Sequence, residues 1–356
     1  MSTISSHQGI SHGYLSAALA KLTNNRQLDI RSILPIGTGQ MAESYRVVFS
    51  EPISQSSNSA KSVVVKVPSQ SPSSRAASKI TRCYELETSF YSSLKSHVWV
   101  NAPECLHVWY DAVNDDFVLV LEDIVGSTQG DQIAGASYQQ AVSAIGELVK
   151  LHAPLWGSKS LGDFTWLPTH SGRTDNGGGE LLRSVFPTFA KRFEGKISSE
   201  ILLVGERLIA NIEKYNAAFP KIVTVAHRDF RLDNLLFATR DGEIDVKVVD
   251  WQTVAALPGV SDLSYFIGAS FDVDDRRKFE QDLVSCYNEG LGKNKVVLDS
   301  NELWSQYRLF SAAGYIMAIV ASVLVKQTDR GDLMFAAMAN RHGQQMIDLE
   351  SEKLYV

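Results

Sequence analysis

The chain has 356 residues, more than one hydrophobic core usually organises, and points to two lobes. With 44% apolar and 21% charged residues it reads as a soluble globular protein, and a net charge of −6 argues against a nucleic-acid or anionic-membrane binder. Cys83, Cys105 and Cys286 form no C-x-x-C pair, so neither a zinc site nor a disulfide framework is indicated; with no secretory pattern in "MSTISSHQGISHGY", a cytoplasmic location is expected.

In chain order, "YLSAALAKL" (14–22) reads as a short helix. "IRSILPIG" and "SYRVVFS" read as strands flanking the loop "GTGQMAE". A Ser/Asn-rich loop precedes the β-branched run "VVVKVP", which carries a lysine, Lys66. "SQSPSSRAAS" reads as loop by composition. "KITRCYELETSFYSSLKS" reads as a helix with Ile80, Tyr84, Glu87/Thr88 and Tyr91 on one side. "ECLHVWYD" and "DFVLVLED" form an antiparallel pair joined at "AVND". Residues 30–122 thus predict βββαββ.

The second half differs. "SYQQAVSAIGELVKLHAPLW" predicts an amphipathic helix ending at Pro154, and "GSKSLGDFTWLPTHSGRTDNGGG" an irregular stretch. "ISSEILLVGERLIANIEKYNAAF" predicts a helix capped by Ser198 or Ser199. "LLFA" and "EIDVKVVD" are strands around the tight hairpin "TRDGEID". From Ser261 onward only helices are expected. The apolar run "SAAGYIMAIVASVLV" (311–325) is about five residues short of a bilayer span and reads as a buried core helix. The expected organisation is an N-terminal extension (1–29), a first lobe (30–122) and a helical second lobe (123–356).

The polar cluster in "VAHRDFRLDNLLF" (225–237) carries the chemistry. Asn234 precedes one strand and Asp250 ends the next, so the hairpin brings an amide and a carboxylate to the same end. Such an oxygen pair suits Mg²⁺ with bound phosphates, because Mg²⁺ keeps several waters and needs few protein oxygens. Asp229 remains as a carboxylate able to accept a hydroxyl proton. His227 is expected to brace the loop.

"HRDFRLDN" followed by "VVDWQ" resembles the catalytic loop and metal-binding aspartate of the aminoglycoside phosphotransferase and choline-kinase-like small-molecule kinases. Their pattern is H-G-D-x-x-x-x-N and then D-[WF]-[EQ]. Arg228 stands where that group usually has glycine; His227-Arg228-Asp229 is the protein-kinase triplet, yet no D-F-G, A-P-E or activation segment follows the loop. The resemblance implies an α+β, two-lobed protein-kinase-like fold, with a small antiparallel sheet in the first lobe and a mainly helical second lobe. It implies an ATP-binding first lobe, in which Lys66 contacts the phosphates. The pattern E-x-x-F-Y picks Glu87 rather than Glu85 as its partner. Gly37 and Gly39 would let a loop approach the phosphates, and backbone groups near Glu122 and Ile124 would hold the adenine. Asn234 and Asp250 would hold Mg²⁺, Asp229 would act on the acceptor hydroxyl, and Arg231 would stabilise the transferring phosphoryl group. "GVSDLSYF" resembles the group's D-L-A-Y-F, which makes Asp262 a carboxylate that holds the loop from behind; "LVKLHAPLW" is assigned to packing.

The expected function is ATP- and Mg²⁺-dependent phosphorylation of a small-molecule hydroxyl, with GTP as the other candidate nucleotide. "HxDFRLDNLLF" leans toward kinase domains associated with acyl-CoA dehydrogenases, and "DWQ" with "DLSYF" toward ecdysteroid-kinase-like enzymes. The competing reading is a nucleotide-binding pseudokinase or regulatory binding protein. No nucleic-acid or membrane partner is expected.

Overall fold

The computed structural model describes residues 29–37, 41–53, 60–169, 177–325 and 327–356. The helix expected at 14–22 and Gly39 lie outside them. Two compact units are found: residues up to Ser93 with Ala102–Gly126, and Leu94–Asn101 with Ser127–Val356.

Alternating apolar residues build the sheet of the first unit. Strands β1 (Ile30–Pro35), β2 (Ala42–Phe49), β3 (Ser62–Pro68), β4 (Cys105–Asp111) and β5 (Asp116–Glu122) are antiparallel in the order β1-β2-β3-β5-β4. Val63, Val65 and Val67 of β3 point into a core with Tyr45, Val47, Val118 and Val120. The two-residue period of a strand therefore puts Lys66 on the opposite face.

The stretch expected as loop at 69–78 is instead mostly helix α1 (Pro72–Thr81). Serine content suggested a loop, but Ser71 caps the helix and Pro72 occupies its first turn, where a missing N–H costs nothing. The single helix expected over 79–96 is divided, because Arg82 adopts a left-handed conformation (φ 58°) between α1 and α2 (Cys83–Ser89). That turn rotates Ile80 away from the buried face, leaving it 83% exposed, while Tyr84, Glu87, Thr88 and Tyr91 are buried.

The second unit is mainly helical. Helix α3 (Tyr138–His152) begins with a Ser137–Gln140 capping box. Helix α4 (Gly177–Arg192), which encloses Pro187, was not anticipated; its first residues fall in the stretch expected to be irregular. The long helix expected at 197–219 breaks at Asn211 into α5 (Ser199–Ala210), capped by Ser198, and α6 (Ile212–Ala217).

Five short strands follow the chain through the polar cluster: β6 (Thr128–Gln129), β7 (Thr224–Ala226), β8 (Leu235–Arg240), β9 (Glu243–Val248) and β10 (Ala255–Leu257). β8 and β9 form the expected hairpin, and β6 flanks it. β7 pairs with β10, Ala226 opposite Ala255, and so closes the base of the segment that holds the cluster. Helices α7 (Val260–Ser270), α8 (Val273–Lys293), α9 (Ser300–Leu309), α10 (Ser311–Leu324) and α11 (Asp329–Asp348) complete the unit. The apolar run at 311–325 is a core helix: Ala312, Tyr315, Ala318 and Ile319 of α10 are fully buried in the main cluster.

Candidate active site

In the first unit, Lys66 Nζ lies 2.6 Å from both carboxylate oxygens of Glu87. Their side chains are only 12% and 2% exposed, so the two charges neutralise each other in a largely buried setting. Glu85 points elsewhere and pairs with Arg82 at 2.7 Å near the surface. The two glutamates should therefore behave differently. Glu87→Ala removes the closest carboxylate from a largely buried ammonium and is expected to cost about 3 kcal/mol, whereas Glu85→Ala should cost less than about 1 kcal/mol. Urea unfolding of the two variants checks this, and equal losses would overturn the distinction.

Gly37 has φ +71° and open space where a side chain would stand, so backbone can be approached there. Glu122 ends β5, and its amide already donates to Glu104 O at 2.9 Å. That amide is spent within the unit; Ile124 follows two residues on. Sequence reasoning missed Asp123 between them. It is buried and accepts from Ser62 Oγ (2.6 Å) and Arg46 Nη2 (3.0 Å), fixing the end of the sheet.

In the second unit the loop between β7 and β8 is held from three sides. His227 Nε2 donates to Val249 O (3.0 Å), while Nδ1 accepts from the Asp229 amide (3.3 Å). These partners require the tautomer protonated on Nε2. The buried Asp262 of α7 lies behind the loop: Oδ2 accepts the His227 amide (2.6 Å) and Oδ1 the Arg228 amide (2.8 Å). His152 Nε2 lies 3.2 Å from Asp262 Oδ2, and its Nδ1 lies 2.7 Å from the Tyr287 hydroxyl. The segment "LVKLHAPLW" thus does more than pack. Gly259 is required by this arrangement, since a Cβ there would lie 2.8 Å from His152 Nδ1.

Arg228 has φ +68°. This explains why glycine suits the position: an L-residue there is strained by roughly 1–2 kcal/mol. Arg228→Gly is expected to leave stability unchanged or raise it by up to about 1 kcal/mol, while Arg228→Val should lower it, because a β-branched residue tolerates positive φ worst. A thermal-unfolding comparison decides; destabilisation by glycine as large as by valine would remove the strain argument.

Asn234 and Asp250 do come to one end of the hairpin. Leu235 pairs with Val248, and the Val249 amide donates to Asn234 O at 3.0 Å. Asn234 Nδ2 donates to Asp229 O (2.8 Å) and Oδ2 (2.9 Å), which turns its side-chain oxygen to the other side as an acceptor. Asp250, at φ +69°, accepts Gln252 Nε2 at 3.0 Å. The donor set, one amide oxygen and one carboxylate, fits Mg²⁺.

Asp229 is densely partnered. Oδ1 accepts the Tyr265 hydroxyl at 2.7 Å, and Arg231 Nε reaches both oxygens at 3.0 and 3.2 Å. Arg231 Nη1 also pairs with Asp233 Oδ2 at 2.7 Å, and Arg330 Nη2 holds Asp233 Oδ1 at 3.0 Å. Burial works against the Arg231 charge, but Asp229 and Asp233 hold its guanidinium above the ordinary value. Arg231 is therefore tied to Asp229 as well as to Asp233. Tyr265 and Asp233 were not anticipated; the only signal for Tyr265 is its place in "SDLSYF", one helical turn after Asp262.

The sequence profile of the ecdysteroid kinase-like family matches residues 37–299. The chain belongs to the ecdysteroid kinase-like family. Solved structures share the fold of this ecdysteroid kinase-like chain at low identity. Choline kinase from Cryptosporidium parvum superposes with a TM-score of 0.58 at 13% identity, covering 96% of this chain and 94% of that one. Ethanolamine kinase from Plasmodium vivax gives 0.53 at 11%, covering 93% and 87%. A variant of an aminoglycoside 2′-phosphotransferase, solved with GDP, gives 0.52 at 12%, covering 96% and 97%. No curated protein matches the sequence. The α+β fold is kinase-like, and the chain falls in the small-molecule phosphotransferase superfamily.

Proposed function

We propose that this ecdysteroid kinase-like chain transfers the γ-phosphoryl group of ATP to a hydroxyl of a small, largely apolar molecule. The observation that carries the reading is the geometry of one loop: Asp229, Asn234 and Asp250 gathered around the β8–β9 hairpin, with backbone braces from His227 and Asp262. Asp229 would accept or orient the hydroxyl proton. Asn234 Oδ1 and the Asp250 carboxylate would hold Mg²⁺, which neutralises phosphate charge when bound. Lys66, paired with Glu87, would position the nucleotide phosphates. Arg231, shared between Asp229 and Asp233, would add positive charge next to the base. The family supports a hydroxylated apolar acceptor. Beside the loop Arg231 Nη1 rests against Met334 Sδ. A cytoplasmic location fits ATP as donor.

Thermal unfolding with and without Mg-ATP tests the reading. A ligand that binds only the folded chain stabilises it by about 2.7 kcal/mol at a hundredfold excess over Kd, a rise of a few degrees. The rise should require Mg²⁺, and ADP release should follow on adding hydroxylated apolar compounds. No rise with millimolar Mg-ATP or Mg-GTP would sink the proposal. A rise with no transfer to any acceptor or to water would favour the pseudokinase.

A further inference from the structure

We infer that Tyr265 is a positioning residue for Asp229: its hydroxyl, delivered by α7, sets the plane of the carboxylate that receives the acceptor's proton. The inference rests on the proposed kinase reaction.

Helix α7 presents Asp262 and Tyr265 one turn apart, and residues three apart share a helix face. Asp262 holds the backbone of the loop at His227 and Arg228, while Tyr265 holds its reactive side chain at 2.7 Å. One helix therefore locates both the main chain and the carboxylate. The Tyr265 ring is only 2% exposed and sits in the main core cluster, with the His342 ring 5.4 Å away and inclined by 33°. Such packing leaves its hydroxyl little freedom.

The bonds on Asp229 divide unequally. Tyr265 binds Oδ1 alone and Asn234 Nδ2 binds Oδ2 alone, so together they fix which oxygen faces which way. Arg231 Nε straddles both oxygens and cannot distinguish them; it also has a second anchor on Asp233. An ionised carboxylate has about four lone-pair sites. With Arg231 drawn toward Asp233, a site opens for the acceptor hydroxyl without disturbing the Tyr265 and Asn234 bonds. In the transfer, the acceptor oxygen bonds to phosphorus, the bond to the departing nucleoside diphosphate breaks, and the hydroxyl proton passes to Asp229. Tyr265 keeps its own proton throughout, since burial and the adjacent carboxylate push its phenol well above the ordinary value.

Tyr265→Phe keeps the ring and removes only the donor. The variant is expected to fold and to keep the Mg-ATP thermal shift. Its kcat should fall at least about tenfold with KM for nucleotide and acceptor within about twofold. A stability cycle with Asp229→Ala supplies a readout independent of turnover: the double variant should lose less than the sum of the single losses, because the two groups touch. Unchanged kcat, an additive cycle, or a fall in kcat accompanied by loss of the ATP shift would each overturn the assignment, the last by showing a merely structural role. If the parent transfers phosphate to neither acceptor nor water, the kinase reading itself falls and the positioning role of Tyr265 with it; a non-additive cycle would then still show that the contact exists.

Discussion

Asp250→Ala is expected to abolish turnover, by about 10³-fold or more in kcat, with little loss of stability. Transition states for phosphoryl transfer are largely loose, so charge neutralisation and positioning contribute more than proton removal. Removing one preorganised charge-stabilising group typically costs about 10²–10³ in rate. Asp250 is half-buried and stands just beyond β9, where it accepts from the neighbouring Gln252, so its loss opens no apolar core. Asp229→Ala should be no more severe in kcat, although it takes the acceptor of the Tyr265 hydroxyl and one acceptor each from Arg231 and Asn234, and should destabilise more. Circular-dichroism melts beside steady-state kinetics separate the two effects. A variant lacking Asp250 that keeps a tenth of the parent kcat, or the Mg-dependent ATP shift, would remove Asp250 from the metal role.

What could be read in advance follows from how local each signal is. Strands of the first unit were legible because Val63, Val65 and Val67 alternate with residues on the other face. The loop was legible because His227, Asp229 and Asn234 are close in sequence and polar among apolar neighbours. Helix α1 was misread because serines make up half of the stretch 69–78, although the Ser71–Pro72 start is itself a helix signal. Strands β7 and β10 have three residues each and are defined by pairing between distant segments, which no local pattern reveals. Tyr265 was hidden for a different reason: in an apolar helix a tyrosine reads as core, and its ring is core, while only the terminal hydroxyl reaches Asp229. Arg231 was legible as a candidate beside Asp229, but not its second anchor, since nothing local shows that Asp233 shares its guanidinium.

Asp262→Ala should have the largest combined effect, lowering both stability and activity. The carboxylate is 1% exposed and accepts two backbone amides, from His227 and Arg228, with His152 beside it. Buried amides left without acceptors cost about 1–3 kcal/mol each, so a loss of about 3 kcal/mol is expected, or roughly 6–10 °C in the midpoint of the second unit. Activity should fall more steeply than stability, because Arg228 is held at positive φ between these bonds and would relax once they are gone. Relaxation there shifts Asp229, the next residue, and a displacement near 1 Å can cost about a hundredfold in rate. The variant Asp262→Asn is the sharper test: it matches the size but turns a donor toward one of the two amides, so it should also lose activity while filling the same space. Arg228→Gly in the Asp262→Ala background should recover little activity, since glycine removes the strain without restoring the bonds. Full activity of Asp262→Ala below its melting range would show that β7, β10 and His227 alone suffice to hold the loop.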